Sequence, residues 1–600
     1  MKEKKRKGKI CKHTSFILLF ALIKYELDKL GVFMDTFSYI LICIVVFIVF
    51  VCIKSKHDKN EIYARYQYKN EKEWGQVPLT TYTQEKFQAI KEYYLANRGN
   101  YDVDDITWND VDMDTIYMLM NNTQSSMGED YLYATLRKLE MSEEKLQERE
   151  RLISFFQNNP GERDKLQVEF RFMGKLKNLS LYKYINTTES IPTHNPIASI
   201  FMASVLVLSL VLMGLSCVTS IPAIYGVVMF VCSVVNNIIH YFHRKAKIEK
   251  YFSVFMYIIR VLDGAKSIQK LSIPKLQKYF MRLQEITKMF ADFERGSFIV
   301  FFDNKAQGSF FDMFLDYFRM LFHIDLIKFD FMVKKVHEKR KELNEIYEIL
   351  GLLDAMIAVA SFRTLFEDRY CVPELSKDNK PIFDMIAGTH PLIDNPVANS
   401  IRTSGSILIT GSNASGKSTF IKTAAINGIL AQTVHTALAT RYQASYFKIY
   451  SSMALRDDLQ SNESYYIVEI KSLKRILEQV NTDIPTLCFV DEVLRGTNTL
   501  ERIAASSYIL KSLGESNAIC FAATHDLELA HILQKYYENY HFEEQVENND
   551  IIFDYSLRKG KAMTRNAIKL LGIMGYDKKI IESSEKLAND FQKNGVWEQI

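Results

Sequence analysis

The run Gly411-Ser412-Asn413-Ala414-Ser415-Gly416-Lys417-Ser418-Thr419 spaces two glycines, a lysine and a hydroxyl as G-x-x-x-x-G-K-S, the pattern of a loop that cradles phosphate. Its glycines permit backbone angles that turn successive N–H groups inward toward an anion. Lys417 is placed to reach the terminal phosphates of a nucleotide, and the Ser418 hydroxyl to ligate magnesium. Further along, Thr486-Leu487-Cys488-Phe489-Val490 ends in Asp491-Glu492. Of two carboxylates at such a strand end, the first can hold magnesium, directly or through water. The second can orient or activate an attacking water. An acidic pair after a strand is common by itself; beside a phosphate loop it is specific. A third apolar stretch, residues 518–523, ends in Thr524-His525. A histidine there is in place to contact the terminal phosphate and its water.

These groups need a rigid frame. Ser406-Ile407-Leu408-Ile409-Thr410 reads as a buried strand leading into the loop, and a helical pattern follows from Phe420. That strand–loop–helix order adds the positive end of a helix to the phosphate site. From Pro381 onward short β-branched runs alternate with helices, the texture of a doubly wound α/β domain. Residues 54–196 and 241–365 are instead helical in pattern. In the second stretch Leu343, Ile346, Leu350, Leu353 and Ile357 recur at three- and four-residue steps, one apolar stripe on a long helix. The cluster Lys334, Lys335, Lys339, Arg340 and Lys341 precedes it; such a run is usually a solvated helix face, the sharper alternative being contact with a phosphate backbone.

Together with Gly388-Thr389-His390-Pro391-Leu392-Ile393, the loop with Asn413 inside it, and Asp491-Glu492 followed by Arg495-Gly496-Thr497-Asn498-Thr499, the C-terminal third resembles the ATPase domain of MutS-type DNA mismatch-repair proteins. Ser464-Tyr465-Tyr466-Ile467-Val468-Glu469 resembles the family segment that approaches the partner subunit's nucleotide. Lys559-Gly560-Lys561-Ala562 and the helical stretch 575–590 resemble its C-terminal tail and dimerising helices. Asp112-Met113-Asp114-Thr115 and Asn122-Thr123-Gln124-Ser125-Ser126-Met127-Gly128, with Leu136-Arg137, resemble the start of its helical core. The resemblance implies an ATP- and Mg²⁺-dependent hydrolase. Residues 411–419 and Ser464 would bind nucleotide, Ser418 and Asp491 magnesium, and Glu492, His525 and Lys417 would act in catalysis. It implies a homodimer that sandwiches two ATP molecules, with double-stranded DNA as a candidate ligand.

The sequence departs from the family in instructive places. Val493-Leu494 replaces the usual Ile-Gly, and Glu501-Arg502 stands where Asp-Gly is typical. No Phe-x-Glu, the family's mismatch wedge, occurs between residue 53 and the core motifs, so mismatch recognition is not expected.

Six hundred residues exceed one core, so several domains are expected. A charge of +4 neither demands nor excludes nucleic acid. The eight cysteines contain no C-x-x-C pair, which argues against a zinc site or a disulfide framework. Three uncharged runs, 36–53, 197–219 and 221–239, are long enough for membrane helices, the last two as a hairpin broken at Ser220 and Pro222. The fold expected is an α/β P-loop NTPase domain, ABC/MutS-like, preceded by a mostly α-helical core domain and transmembrane helices. The segments are 1–35, basic; 36–53, a membrane helix; 54–196 and 241–380, helical core; 197–240, a membrane hairpin; and 381–600, ATPase. The expected location is the membrane, multi-pass, with the ATPase in the cytosol. Lys54, Lys56 and Lys59, and Arg244, Lys245 and Lys247, fit positive-inside placement; residues 2–12 do not, a conflict resolved either if Met34 is the true start or if the run 36–53 does not cross fully. Two functions stand open: a membrane-associated DNA-binding ATPase, or the same engine recruited to a membrane or protein-partner remodelling task.

Overall fold

Polar caps begin most helices of the first half. Thr83 caps α1 (Gln84–Ala96) by accepting from the Lys86 N–H, and Asp104 caps α2 (Asp105–Asp110) through Thr107. Ser125 does the same for α3 (Ser126–Arg137) and Ser142 for α4 (Glu143–Asn158), while Pro160 opens α5 (Pro160–Met173). Each such cap satisfies a backbone donor that the helix itself cannot, and removing one typically costs about 1 kcal/mol. The computed structural model describes residues 57–600 apart from 193–195, 217, 219–221, 296–316, 378–379, 413–414, 454–464, 496, 548–549, 562–567, 569–570, 572–573, 598 and 600. The apolar run 36–53, the basic run 2–12, Met34, Asn413, Ala414 and Ser464 therefore lie outside the described residues. Two units divide the chain, 1–72 and 73–600. Residues 57–72 of the first are helical; the second holds α1 and every element after it.

Next come α6 (Pro196–Ser216), α7 (Ala223–Ile268), α8 (Ile324–Glu338) and α9 (Arg340–Leu365). The stripe Leu343, Ile346, Leu350, Leu353 and Ile357 is buried on α9, each side chain worth roughly 1.5–3 kcal/mol in removed apolar surface. Two glycines let α3 and α9 approach closely. A Cβ at Gly128 would stand 2.3 Å from Asp354 Oδ2, and one at Gly351 would stand 2.9 Å from Tyr131 Cβ. At this crossing the Asp354 carboxylate accepts from the backbone N–H groups of Gln124 and Ser125 (shortest distances 3.0 and 2.8 Å) and from Ser125 Oγ at 2.6 Å. The stretch 122–128 thus plugs one half of the helical core into the other, across the intervening hairpin.

Burial pushes the Asp354 carboxyl up to about 6, against the bonds from Ser125 and Gln124. Since its folded value exceeds the ordinary 3.8, the folded state binds the extra proton between about pH 4 and 6. The stability this group contributes is then full below about pH 4 and is lost as pH rises through about 6. An elevation of that size corresponds to about 3 kcal/mol. Relative to Asp354→Asn, the wild-type chain should lose that amount between about pH 4 and pH 7 in thermal or denaturant unfolding. A difference that stays flat across this range would show that the carboxyl titrates normally.

The helices α6 and α7 form a hairpin: Gly226 meets Met213, and Asn237 reaches back to the Met202 carbonyl. Two windows, Ile197–Ser216 and Ala223–Glu249, are long and apolar enough to cross a membrane, and only 17% of each is buried within the protein. Phe201, Leu208, Val211, Val228, Val231 and Val235 are exposed. The helix α7 does not stop at residue 240. It runs unbroken for 46 residues into the core, where Val254, Tyr257, Ile258 and Leu262 are buried. At the foot of the hairpin, Arg244 donates to both oxygens of Asp330 on α8 at 3.0 Å, and Tyr241 donates to Asp325 at 2.8 Å. The basic cluster before α9 is partly neutralised on its own surface, by Lys334–Glu338 at 3.9 Å and Lys339–Glu342 at 3.1 Å.

The C-terminal region builds two larger sheets. One has the order β1 (Glu374–Ser376), β5 (Arg441–Ser445), β2 (Phe383–Gly388), β3 (Asn399–Thr403), parallel at β1–β5 and antiparallel elsewhere. The other has the order β12 (Arg558–Lys559), β9 (Tyr537–His541), β4 (Ser406–Thr410), β8 (Ala518–Ala523), β7 (Thr486–Asp491), β6 (Lys448–Ser452). All its pairs are parallel except β12 with β9. A small antiparallel hairpin, β10 (Glu544–Glu547) and β11 (Asp550–Phe553), follows β9. The strands β4, β7 and β8 are buried at every residue, as expected of a parallel sheet covered on both faces. The covering helices are α10 (Lys417–Thr433), α11 (Tyr465–Leu477) and α12 (Thr499–Glu515); α13 (Lys578–Asn594) lies near the end of the chain.

Polar contacts weld sheet to helices. Asp110 accepts from Ser451 Oγ at 2.6 Å and Met453 N at 2.9 Å. Buried Arg363 on α9 binds Glu150 (2.9 and 2.6 Å), Thr436 Oγ1 (2.9 Å) and the His435 carbonyl (2.7 Å).

Candidate nucleotide site

At the carboxyl ends of β4, β7 and β8 the chain turns three times toward one cleft, the position where parallel α/β sheets bind ligands. After β4, Gly411 adopts φ +148° and Gly416 φ +107°. A Cβ at Gly411 would meet the Phe542 carbonyl at 2.9 Å, so position and conformation both demand glycine there. Helix α10 begins at Lys417. Its ammonium folds back on the loop, donating to the Gly411 and Ser412 carbonyls at 2.7 and 2.6 Å. Burial pulls the Lys417 pKa down, while Glu492 and Asp491 work to keep it charged. Ser412 Oγ donates to Glu544, and Ser415 Oγ is buried without a partner.

Asp491 ends β7. One oxygen of its carboxylate is buried without a hydrogen-bond partner, while the group bonds to the Ser418 side chain. Among the described residues no cluster of three or more His, Cys, Asp or Glu could hold a metal alone. Ser418 and Asp491 set two side-chain oxygens side by side. That suits magnesium, which keeps its waters and takes substrate phosphate as a further ligand. Glu492 follows in the left-handed region, φ +54°, its N–H held by the Ala523 carbonyl at 2.9 Å. Its carboxylate contacts Arg495 and lies 3.2 Å from His525 Nδ1. Burial works to raise the Glu492 carboxyl, but the His525 bond and the Arg495, His525 and Lys417 charges outweigh it and hold it below its ordinary value. The same bond raises His525. The next residue, Asp526, is gripped by Arg502 at 3.0 and 2.7 Å, so the Glu501-Arg502 departure anchors the turn that carries His525.

A cavity of about 750 Å³ opens over the loop, lined by residues that include Ser415, Lys417, Ser418, Glu492, His390 and Tyr555, a size suited to a small ligand. The structure brings together Ser412, Ser415, Gly416, Lys417, Ser418, Thr419 and Glu492 around it, with Asp491 and His525 adjoining; Gly411 opens the loop but does not line the cavity. Burial, with the Lys422 charge, lowers His390 to about 4, so its ring is neutral at physiological pH. Two residues here escape a sequence reading. Tyr555, at φ +52°, sets its ring edge where a Cβ on Gly416 would lie 3.2 Å away. Asn399 holds Tyr555 in place by donating to its carbonyl at 2.9 Å and accepting from Leu557 N at 2.7 Å. No motif or spacing marks either one; only the chain's return past the loop joins them to it.

The family model for MutS domain V matches residues 407–592. The chain is 26% identical over 280 residues to the DNA mismatch repair protein MutS of Prochlorococcus marinus (strain MIT 9312), covering 44% of this chain and 30% of that protein. It is 31% identical over 269 residues to the human MutS protein homolog 4, covering 41% and 28%. With the DNA mismatch repair protein MutS of Lactobacillus acidophilus it shares 28% over 283 residues, covering 45% and 33%. The chain thus spans about a third of the length of these curated relatives. Residues 407–592 carry a domain of the MutS family, and over its C-terminal region the chain is similar to DNA mismatch repair MutS proteins and a MutS homolog.

Proposed function

We propose that this chain is a membrane-anchored ATPase that binds ATP with Mg²⁺ in the cleft above β4, β7 and β8 and hydrolyses it. The observation that carries the reading is the convergence of the phosphate loop, the Ser418–Asp491 pair and the Glu492–His525 pair on one cavity. Lys417 would exchange its loop carbonyls for phosphate oxygens. Ser418 and Asp491 would hold magnesium, which neutralises charge on the phosphates. Glu492 would take a proton from the attacking water, and His525 would orient both. Tyr555 offers an aromatic face for the base. Steady-state ATP turnover by the full chain in detergent tests this. Lys417→Ala removes a charge-assisted contact worth about 1.5–3 kcal/mol, a loss of roughly 10- to 100-fold in nucleotide affinity. No turnover by the wild-type chain with magnesium would sink the reading.

In this reading the hairpin lies in a membrane, with both its ends, and so both halves of the helical core, in the cytosol. Dimerisation is part of the same reading: α13 exposes Ile580, and beyond it Trp597, stacked on Phe591 at 4.0 Å, is also exposed. Duplex DNA is the polymer to test, since relatives carry the name DNA mismatch repair protein. A second reading, an engine that drives a membrane or protein-partner task without DNA, is favoured by α7, one helix shared by hairpin and core. Affinity for duplex DNA that falls steeply with salt supports the first; its absence supports the second.

A further inference from the structure

The turn after Asp491-Glu492 is strained, and a glutamate from another helix braces it. Leu494 adopts φ +59°, a left-handed conformation that costs a residue with a Cβ roughly 1–2 kcal/mol. The same turn contains Glu492 at φ +54°, so two non-glycine residues hold an unfavourable geometry within three positions. Such strain persists only where the surroundings over-determine it. Two things do so here. The Leu494 side chain is buried in the apolar cluster formed with Leu473, Ile476 and Val490, and its backbone N–H donates to Glu469 Oε1. Glu469 sits on α11, itself buried, and its carboxylate also accepts from the Arg495 backbone N–H. Arg495 in turn contacts Glu492. The second Glu469 oxygen, Oε2, is buried with no hydrogen-bond partner, an arrangement that a side chain serving stability alone would not favour.

We infer that Glu469 is a positioning residue for ATP hydrolysis: from α11 it fixes the Val493–Arg495 turn and thereby aims the Glu492 carboxylate at the cleft. The inference rests on the ATPase reading above. Glu469 touches neither the cavity nor the phosphate loop, so it acts only through the turn. Its loss releases the strain, Leu494 relaxes, and Glu492 swings from its place between His525 and the cleft. A displacement of about 1 Å at a reacting group can cost about 100-fold in rate. The bond also makes α11 a control element, because a shift of that helix reaches Glu492 through two contacts.

The test compares three variants of the full chain in detergent. Glu469→Met keeps length and bulk but lacks the acceptor; Glu469→Gln keeps the acceptor and loses the charge; Leu494→Gly removes the strain. Turnover and the affinity for a slowly hydrolysed ATP analogue are measured for each, and for Glu469→Met with Leu494→Gly. Glu469→Met should lower kcat by about 30-fold with analogue affinity within about threefold of wild type. Glu469→Gln should stay within about threefold of wild type, and adding Leu494→Gly to Glu469→Met should restore part of the rate, because glycine holds the turn unaided. Wild-type kcat in Glu469→Met would overturn the inference, as would equal losses in the Met and Gln variants. If Glu469→Met no longer binds the analogue, Glu469→Gln decides: a tenfold loss of kcat at unchanged affinity would overturn the role of the acceptor, and retained kcat would uphold it. A wild-type chain that turns over no ATP would instead overturn the ATPase reading, and is recognised before any variant is compared.

Discussion

Exchanging Glu492 for alanine is expected to slow ATP turnover by roughly 10²–10⁴-fold, the range of a lost general base, while nucleotide affinity changes little. The site explains the split. In the proposed mechanism affinity comes from the loop, from Lys417 and from the Ser418–Asp491 pair, to which Glu492 adds only a charge that helps keep Lys417 ionised. In the same mechanism rate comes from the Glu492 carboxylate, kept ionised by His525, Arg495 and Lys417 against the cost of its burial. Removing it also frees Arg495 and His525. Released from Glu492, His525 should titrate at lower pH, since that bond is the first cause of its raised value. Single-turnover and steady-state measurements, with equilibrium binding of ATP, separate the two quantities. Turnover at the wild-type rate would remove Glu492 from the mechanism, and a parallel loss of affinity would recast it as a binding group.

The second large effect concerns the hairpin. Leu208, Val211, Val231 and Val235 face outward on α6 and α7, 49–53% exposed. If water bathed that face, arginine there would be nearly neutral, as for most surface substitutions. In a bilayer each arginine near the centre of a span costs roughly 2.5–3.5 kcal/mol, so four sum to about 10–14 kcal/mol. Changing all four to arginine, in a chain shortened to residues 57–600 so that the run 36–53 plays no part, should release the protein from membranes under alkaline extraction. The unsubstituted short chain should stay with the membrane. Identical fractionation of the two would count against the hairpin as a membrane anchor.

What the sequence discloses about this molecule is what lies close along the chain. The loop at 411–419 and the pair Asp491-Glu492 are legible because each is a short strand-end motif whose chemistry needs fixed spacing. The stripe from Leu343 to Ile357 is legible because a helix imposes its period. What is hidden depends on distant stretches meeting. Glu469 reads as part of a family-like segment facing a partner subunit, but in the fold its side chain serves its own chain's Leu494. Arg502 reads as an isolated departure until its side chain meets Asp526. Asp354 carries no motif, and only the plug at 124–128 explains a buried acid beside an apolar stripe. The reach of α7 past residue 240 is equally hidden, since nothing apolar distinguishes a helix that ends from one that dives into a core. For Leu494 the family's glycine is itself the clue: the replaced glycine marks a left-handed turn.

The uninterrupted α7 has a mechanical consequence. At about 1.5 Å per residue its 46 residues make a rod about 70 Å long. It is bolted to α8 near its middle by Arg244 and Tyr241, and its lower half is packed in the core. A tilt of about 5° about that bolt would move a tip by only a few ångströms, the scale of interface shifts in switching proteins. Thermodynamic linkage makes such a rod symmetric. In the proposed reading, whatever torque ATP applies to a membrane-seated hairpin, bilayer thickness and tension apply back to the cleft, with the same coupling free energy. In that reading, nucleotide affinity measured in thin and thick bilayers would gauge membrane strain, with the chain's own helix as the lever.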